Sequence, residues 1–207
     1  MMQTDHAQSK TGKMVRLAIL TAILLILAFT PLGYLTISPT LKISFLTIPV
    51  AIGAIVMGPA AGAFLGLVFG LTAFSTCFGA DPFGAILLGI NPVGIFLTCI
   101  VPRVLMGWLV GVIFLALHKI DTTKILSFGV ASISAALLNT LFFMGFLWAF
   151  FGKTDIVTQI TNGSSNFFVI LVVMAGTNAL VEAVACCLVG AAVSKPLYSS
   201  FSSNKKA

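Results

Sequence analysis

The sequence predicts an all-α, polytopic membrane protein: one bundle of six transmembrane helices with both termini in the cytoplasm. Three observations carry this expectation. Hydrophobic residues make up 59% of the 207-residue chain and charged residues only 8%, where a soluble domain carries about a quarter charged. Apolar runs long enough to cross a ~30 Å hydrocarbon core as a helix recur along the whole length. The basic residues also segregate. With the N-terminus inside, Lys10, Lys13, Arg16, Lys119, Lys124, Lys195, Lys205 and Lys206 lie on the inner side, against Lys42 and Lys153 outside, where Asp81 and Asp155 accompany them. That is the positive-inside pattern, and an odd number of spans would destroy it. The net charge of +6 thus reflects loop placement rather than nucleic-acid binding.

The opening "MMQTDHAQSKTGKMVR" is polar, and the apolar run behind it has full span length with no evident small-residue cleavage site, unlike a signal peptide. The first span covers about 15–34. The second, about 43–57, and the third, about 60–77, are separated only by "MGPAAG", where Gly58-Pro59 gives a tight turn. The second is short for a bilayer, so it is expected to tilt or to begin inside the protein. The fourth covers about 92–117, the fifth about 125–150 and the sixth about 166–194. "HKIDTTK" is a short polar connection, whereas "GKTDIVTQITNGSSN" is a longer loop rich in turn formers. Residues 1–207 read as a single integral membrane domain with cytoplasmic tails at 1–14 and 196–207. No internal repeat is visible, which disfavours an inverted-repeat transporter.

The stretch "INPVGIFLTCIVPRVLMGWLVG" poses the functional question, because an apolar span holds Asn91, Pro92, Pro102 and Arg103. Entering from outside near Asn91, the fourth span places Arg103 roughly 16–18 Å down at ~1.5 Å per residue. Asn139 on the fifth span and Asn178 and Glu182 on the sixth fall near the same level. Asn178 and Glu182 are four residues apart, hence on one helical face. A central Arg costs at least ~2.5–3.5 kcal/mol on insertion scales, so such groups face one another or a wet cavity. Two readings stay open. In one, Arg103 pairs with Glu182 and locks two helices. In the other, Arg103 and the amides of Asn91, Asn139 and Asn178, with Glu182, line an outward-opening cavity that grips a polar solute. Pro102 bears on both: it removes a helix hydrogen bond and frees a carbonyl near the Arg, and broken backbone is tolerated where it lines a cavity.

Gly58, Gly62, Gly66 and Gly70 recur every four residues, and Gly107 and Gly111 continue the pattern on the fourth span. Such smooth faces let helices approach closely in lipid, which points to internal packing. Ala18 and Ala22 form a similar pair on the first span; by composition alone this is ordinary packing. Cys77, Cys99, Cys186 and Cys187 form no C-x-x-C pair, and His6 and His118 are remote from them in sequence, so they read as small apolar residues rather than metal ligands. There is no Walker loop, H-E-x-x-H or G-x-S-x-G motif, so neither a catalytic role nor a cofactor is expected. With five acidic residues in all, the chain has little for proton coupling and is not expected to drive uphill transport alone.

"LKISFLTIPVAIGAIVMGPAAGAFLGLVFGL" resembles the second and third helices of the substrate-binding S components of energy-coupling factor (ECF) vitamin transporters. "INPVGIFLTCIVPRVLMG" resembles the P-R segment of the fourth helix in pantothenate and hydroxymethylpyrimidine types, and "NALVEAV" the matching part of the last helix. The resemblance spans about 14–195. It implies a vitamin-binding subunit of the bacterial plasma membrane without ATPase activity, which captures substrate outside and docks on a transmembrane coupling subunit served by two ATP-binding subunits. The Ala-x-x-x-Ala motif of the first helix, here Ala18 and Ala22, would be the docking face. The outer loops, here 34–42, 76–92 and 151–166, would gate the pocket. A self-sufficient permease is the alternative class. A permanent cation in an apolar cavity suits an anionic solute, since a carboxylate takes a bidentate guanidinium bond; pantothenate fits that logic. Riboflavin competes through "LKISF", and hydroxymethylpyrimidine through Asn139, Asn178, Phe142 and Trp148.

Overall fold

The helices run long because the residues between the turns are mostly Leu, Ile, Val, Phe and Ala. The computed structural model describes residues 3–31, 33–38, 41–121, 126–160 and 166–203. In order these form α1 (Gln3–Phe29), a hairpin of β1 (Tyr34–Ser38) and β2 (Leu41–Ser44), α2 (Thr47–Met57), α3 (Pro59–Thr76), α4 (Pro82–Ile90), α5 (Pro92–Ile120), α6 (Leu126–Phe151), α7 (Asp155–Ile160) and α8 (Phe167–Ala185), followed by a π-helical turn (Cys186–Gly190) and α9 (Ala191–Ser203). Among the described residues five helical stretches are long and apolar enough to cross a membrane: Thr11–Phe29, Pro59–Thr76, Pro92–Ile120, Leu126–Phe151 and Ala179–Tyr198.

The differences from the sequence expectation have local causes. The first span stops at Phe29, short of the expected 34, because Pro31 disfavours helix in the residue before it. The chain then turns through Gly33, whose carbonyl accepts from Phe45 N at 3.0 Å, and enters the hairpin, where Tyr34 faces Ser44 in antiparallel register. The expected outer loop at 76–92 contains α4, whose start is capped by the Asp81 carboxylate accepting from Gly84 N at 3.2 Å. The loop at 151–166 contains α7. The helix of the last expected span continues beyond 194 to Ser203 through the π-helical turn, with its span-length apolar stretch at Ala179–Tyr198. Between α5 and α6, the Asp121 carboxylate accepts from Ser127 N at 2.7 Å and so ties the two helix ends together.

Two packing features position the site. At the α3–α5 crossing a Cβ on Gly62 would overlap the Gly107 carbonyl, and one on Gly66 would overlap the Arg103 carbonyl. Only bare backbone fits there, so Gly62, Gly66, Gly70, Gly107 and Gly111 are internal packing as expected, laying α3 directly against the turn that carries Arg103, whereas a Cβ on Gly58 would meet nothing within 4 Å. The second feature is α2, which at ~1.5 Å per residue is roughly 16 Å long, well short of a bilayer. Every residue from Thr47 to Ile55 is buried. Its first turn therefore starts inside the protein, one of the two options its length left open, and Gly58 with φ 96° turns it back into α3. Leu24, Val50, Ala54, Leu65, Phe69, Met106, Val110, Phe114 and Ala131 form the main core around α2. By contrast α1 rests on α2 and α3 through Leu17, Leu20, Leu24 and Leu27, and leaves Ala18 and Ala22 exposed on another face.

Candidate functional site

Arg103 is 8% exposed, and its surroundings explain how α5 tolerates it. An uninterrupted helix would have residue 102 donate its N–H to the Thr98 carbonyl. Pro102 has no N–H, and Arg103 Nη1 donates to that carbonyl at 2.7 Å instead. The Thr98 hydroxyl is engaged separately, donating to the Gly94 carbonyl at 2.8 Å. The guanidinium carbon lies 4.4 Å from the ring centroid of Phe143 and 5.4 Å from that of Phe69. Cation–π attraction of this kind reaches ~2 kcal/mol when desolvated. Nε is buried without a hydrogen-bond partner. The cation is thus held by one carbonyl and two rings, and among the described residues no carboxylate forms an ion pair with it.

Asn139 lies one turn before Phe143 on α6, is 8% exposed, and has a buried carboxamide oxygen with no partner. Glu182 is 5% exposed and accepts from the Thr47 hydroxyl at 2.8 Å, at the N-terminal end of α2, where the helix dipole favours negative charge. The Cys186 thiol lies 3.4 Å from the same hydroxyl. Arg103 and Glu182 form no ion pair with each other: the first has found the carbonyl freed by Pro102, the second the first turn of α2. The direct helix lock is therefore absent.

Asn91 stands apart. Its carboxamide oxygen caps α5, accepting from Gly94 N at 2.9 Å, and at ~1.5 Å per residue it is roughly 18 Å along the helix from Arg103. Asn178 is on α8, one turn before Glu182; its side chain lies outside the described residues. Among the described residues no group of three His, Cys, Asp or Glu side chains is arranged to hold a metal. Cys77, Cys99 and Cys186 are free and buried, consistent with their reading as packing residues.

Sequence reasoning missed Phe69, Phe143, Thr47, Thr98 and Tyr34. A signal existed for Phe143, which follows Asn139 by one helical turn, and for Thr98, which precedes Pro102 by one. The stacking candidates that were singled out sit elsewhere: Phe142 packs on the main core, and Trp148 is exposed with its ring against Phe167. Thr47 and Tyr34 meet the site only through the tertiary fold. Burial pushes the Tyr34 phenol up to about 12, against the opposing field of Arg103, so it is a neutral hydroxyl at the hairpin end of the site.

Residues 12–194 match the family described as ECF transporter, substrate-specific component. The chain is also 32% identical over 159 residues to a protein of Lactococcus lactis subsp. cremoris (strain MG1363) named pantothenic acid transporter PanT, an alignment covering 71% of this chain and 78% of that protein.

Proposed function

The chain belongs to the family of substrate-specific components of ECF transporters, and from that premise we propose that it captures pantothenate for ATP-driven uptake. The observation that carries the substrate is Arg103: a buried cation in no ion pair among the described residues, whose Nε lacks an acceptor, lying over the Phe143 ring, which follows by one turn of α6 an Asn139 oxygen that lacks a donor. A ligand that completes both atoms offers an anionic oxygen and a hydroxyl or amide N–H. Pantothenate has a carboxylate, two hydroxyls and an amide, whereas riboflavin and hydroxymethylpyrimidine have no carboxylate for Arg103. The name of the Lactococcus relative points the same way. Arg103 and Asn139 would form the base of the site, with Asn178 and Glu182 contributed by α8 and Asn91 at the outer rim.

The family and the relative are transport proteins, and we read the chain as a binding subunit rather than an enzyme. It would work with a transmembrane coupling subunit and two ATP-binding subunits in the bacterial plasma membrane. Ala18 and Ala22 support this reading, since both are exposed on the face of α1 turned away from the bundle, and small side chains suit a face that must join and leave a partner helix. Substituting either with Trp should leave pantothenate binding by the purified subunit intact and abolish ATP-dependent uptake by the full complex. Lost binding would place the alanines inside the bundle, and uptake by the chain alone would make it a permease.

For the topology we propose six spans with both ends inside, counting α2 as a short span and α8, the π-helical turn and α9 as one. The distribution of Lys and Arg supports it. Cys187 is the one native cysteine that is not buried. With it replaced by Ser, a cysteine at Ile160 should react with an impermeant thiol reagent from outside, and one at Ile120 only after the membrane is opened. The reverse pattern would overturn the orientation.

A further inference from the structure

The orientation of Arg103 has its cause one residue upstream. A helix carbonyl is normally occupied by the N–H four residues later. At Thr98 that donor would come from position 102, and proline has none. The carbonyl left over accepts from Arg103 Nη1 at 2.7 Å, a bond made backward within one helix to a group that the ordinary turn would have closed. This bond, together with the rings of Phe69 and Phe143, turns the guanidinium inward, with its buried Nε uncommitted.

We propose that Pro102 is a positioning residue for ligand recognition: by withholding one helix hydrogen bond it supplies the Thr98 carbonyl as the anchor that orients Arg103 toward the ligand's carboxylate. The proposal rests on the reading of Arg103 as the carboxylate-binding group. It differs in consequence from a proline that only bends α5. A bend would alter the shape of the site for any ligand, whereas an anchor acts through Arg103 and matters to the anionic group alone. It also sets stability against binding. Proline is the least favourable residue in a helix interior, so restoring the N–H should strengthen the helix while loosening the Arg.

The test is Pro102→Ala, with Pro102→Gly as a second variant that restores the same donor. Binding of pantothenate is compared with binding of its alcohol analogue, in which CH2OH replaces the carboxylate, by calorimetry on purified protein. Both variants should bind pantothenate about tenfold more weakly or worse, as expected on misplacing one charge-assisted bond. They should bind the alcohol as the parent does, and the ligand-free melting temperature of Pro102→Ala should not fall. In an Arg103→Ala background, Pro102→Ala should have no further effect on pantothenate. Unchanged pantothenate affinity in Pro102→Ala, with Arg103→Ala impaired, overturns the positioning role and leaves the site reading standing. Equal loss for both ligands, or a loss that persists without Arg103, overturns it in favour of the bend. Normal pantothenate binding by Arg103→Ala overturns the site reading and this proposal with it.

Discussion

Arg103→Ala should weaken pantothenate binding by ~2 kcal/mol or more, roughly 30-fold, because it leaves a desolvated carboxylate without its partner. The same substitution should not unfold the protein. In the ligand-free chain Arg103 is a buried cation in no ion pair among the described residues, and one carbonyl and two rings recover only part of its desolvation cost. Removing it should therefore leave the ligand-free melting temperature unchanged or raised, while the stabilisation that pantothenate confers on the parent protein disappears. Thermal denaturation in detergent with and without ligand reads both effects. Full retention of binding would show that the guanidinium is structural. Because Arg103 and Glu182 make separate contacts, the stability effects of Arg103→Ala and Glu182→Ala should add to within ~0.5 kcal/mol; a strongly non-additive double mutant would reinstate the helix lock.

The second large effect is expected at Gly66. A Cβ there would overlap the Arg103 carbonyl, with Val104 Cα at 3.1 Å, and backbone cannot move aside as a side-chain tip can. Gly66→Val forces α3 and α5 apart along their whole crossing, so the cost should reach or exceed the ~3 kcal/mol upper end of ordinary overpacking. Phe69 lies one turn further along α3 and would be carried away from the guanidinium, so any folded fraction should also bind poorly. Gly129 on α6 is the control, since a Cβ there meets nothing within 4 Å. Gly129→Ala should leave stability unchanged or raise it by up to ~1 kcal/mol through helix propensity. If both substitutions behave alike in thermal denaturation, the close approach of α3 to α5 is not what holds the site.

These two expectations divide along the line between sequence and tertiary structure. Membrane-spanning helices, the Gly58-Pro59 turn, the four-residue glycine repeat and the oddity of a Pro-Arg pair in an apolar span are all visible in the chain, because each depends on local composition or helical period. So is the expectation that Arg103 and Asn139 lie at a similar depth, which follows from rise per residue once the helix directions are assumed. The family, too, is written in short local motifs such as the G-P turn. What the chain could not show is which polar groups meet. Arg103 and Glu182 have opposite charges on the fourth and sixth expected spans, and sequence alone makes them natural partners. In the folded protein Arg103 takes the Thr98 carbonyl and lies over the rings of Phe69 and Phe143, while Glu182 takes Thr47. The second choice depends on α2 being short and starting within the bundle. The hairpin that brings Tyr34 to the site likewise leaves little trace in hydropathy, since its strands are short and follow directly on an apolar helix. Helical period determines which residues share a face; which faces meet, and at what rotation, is decided by close packing of the whole bundle.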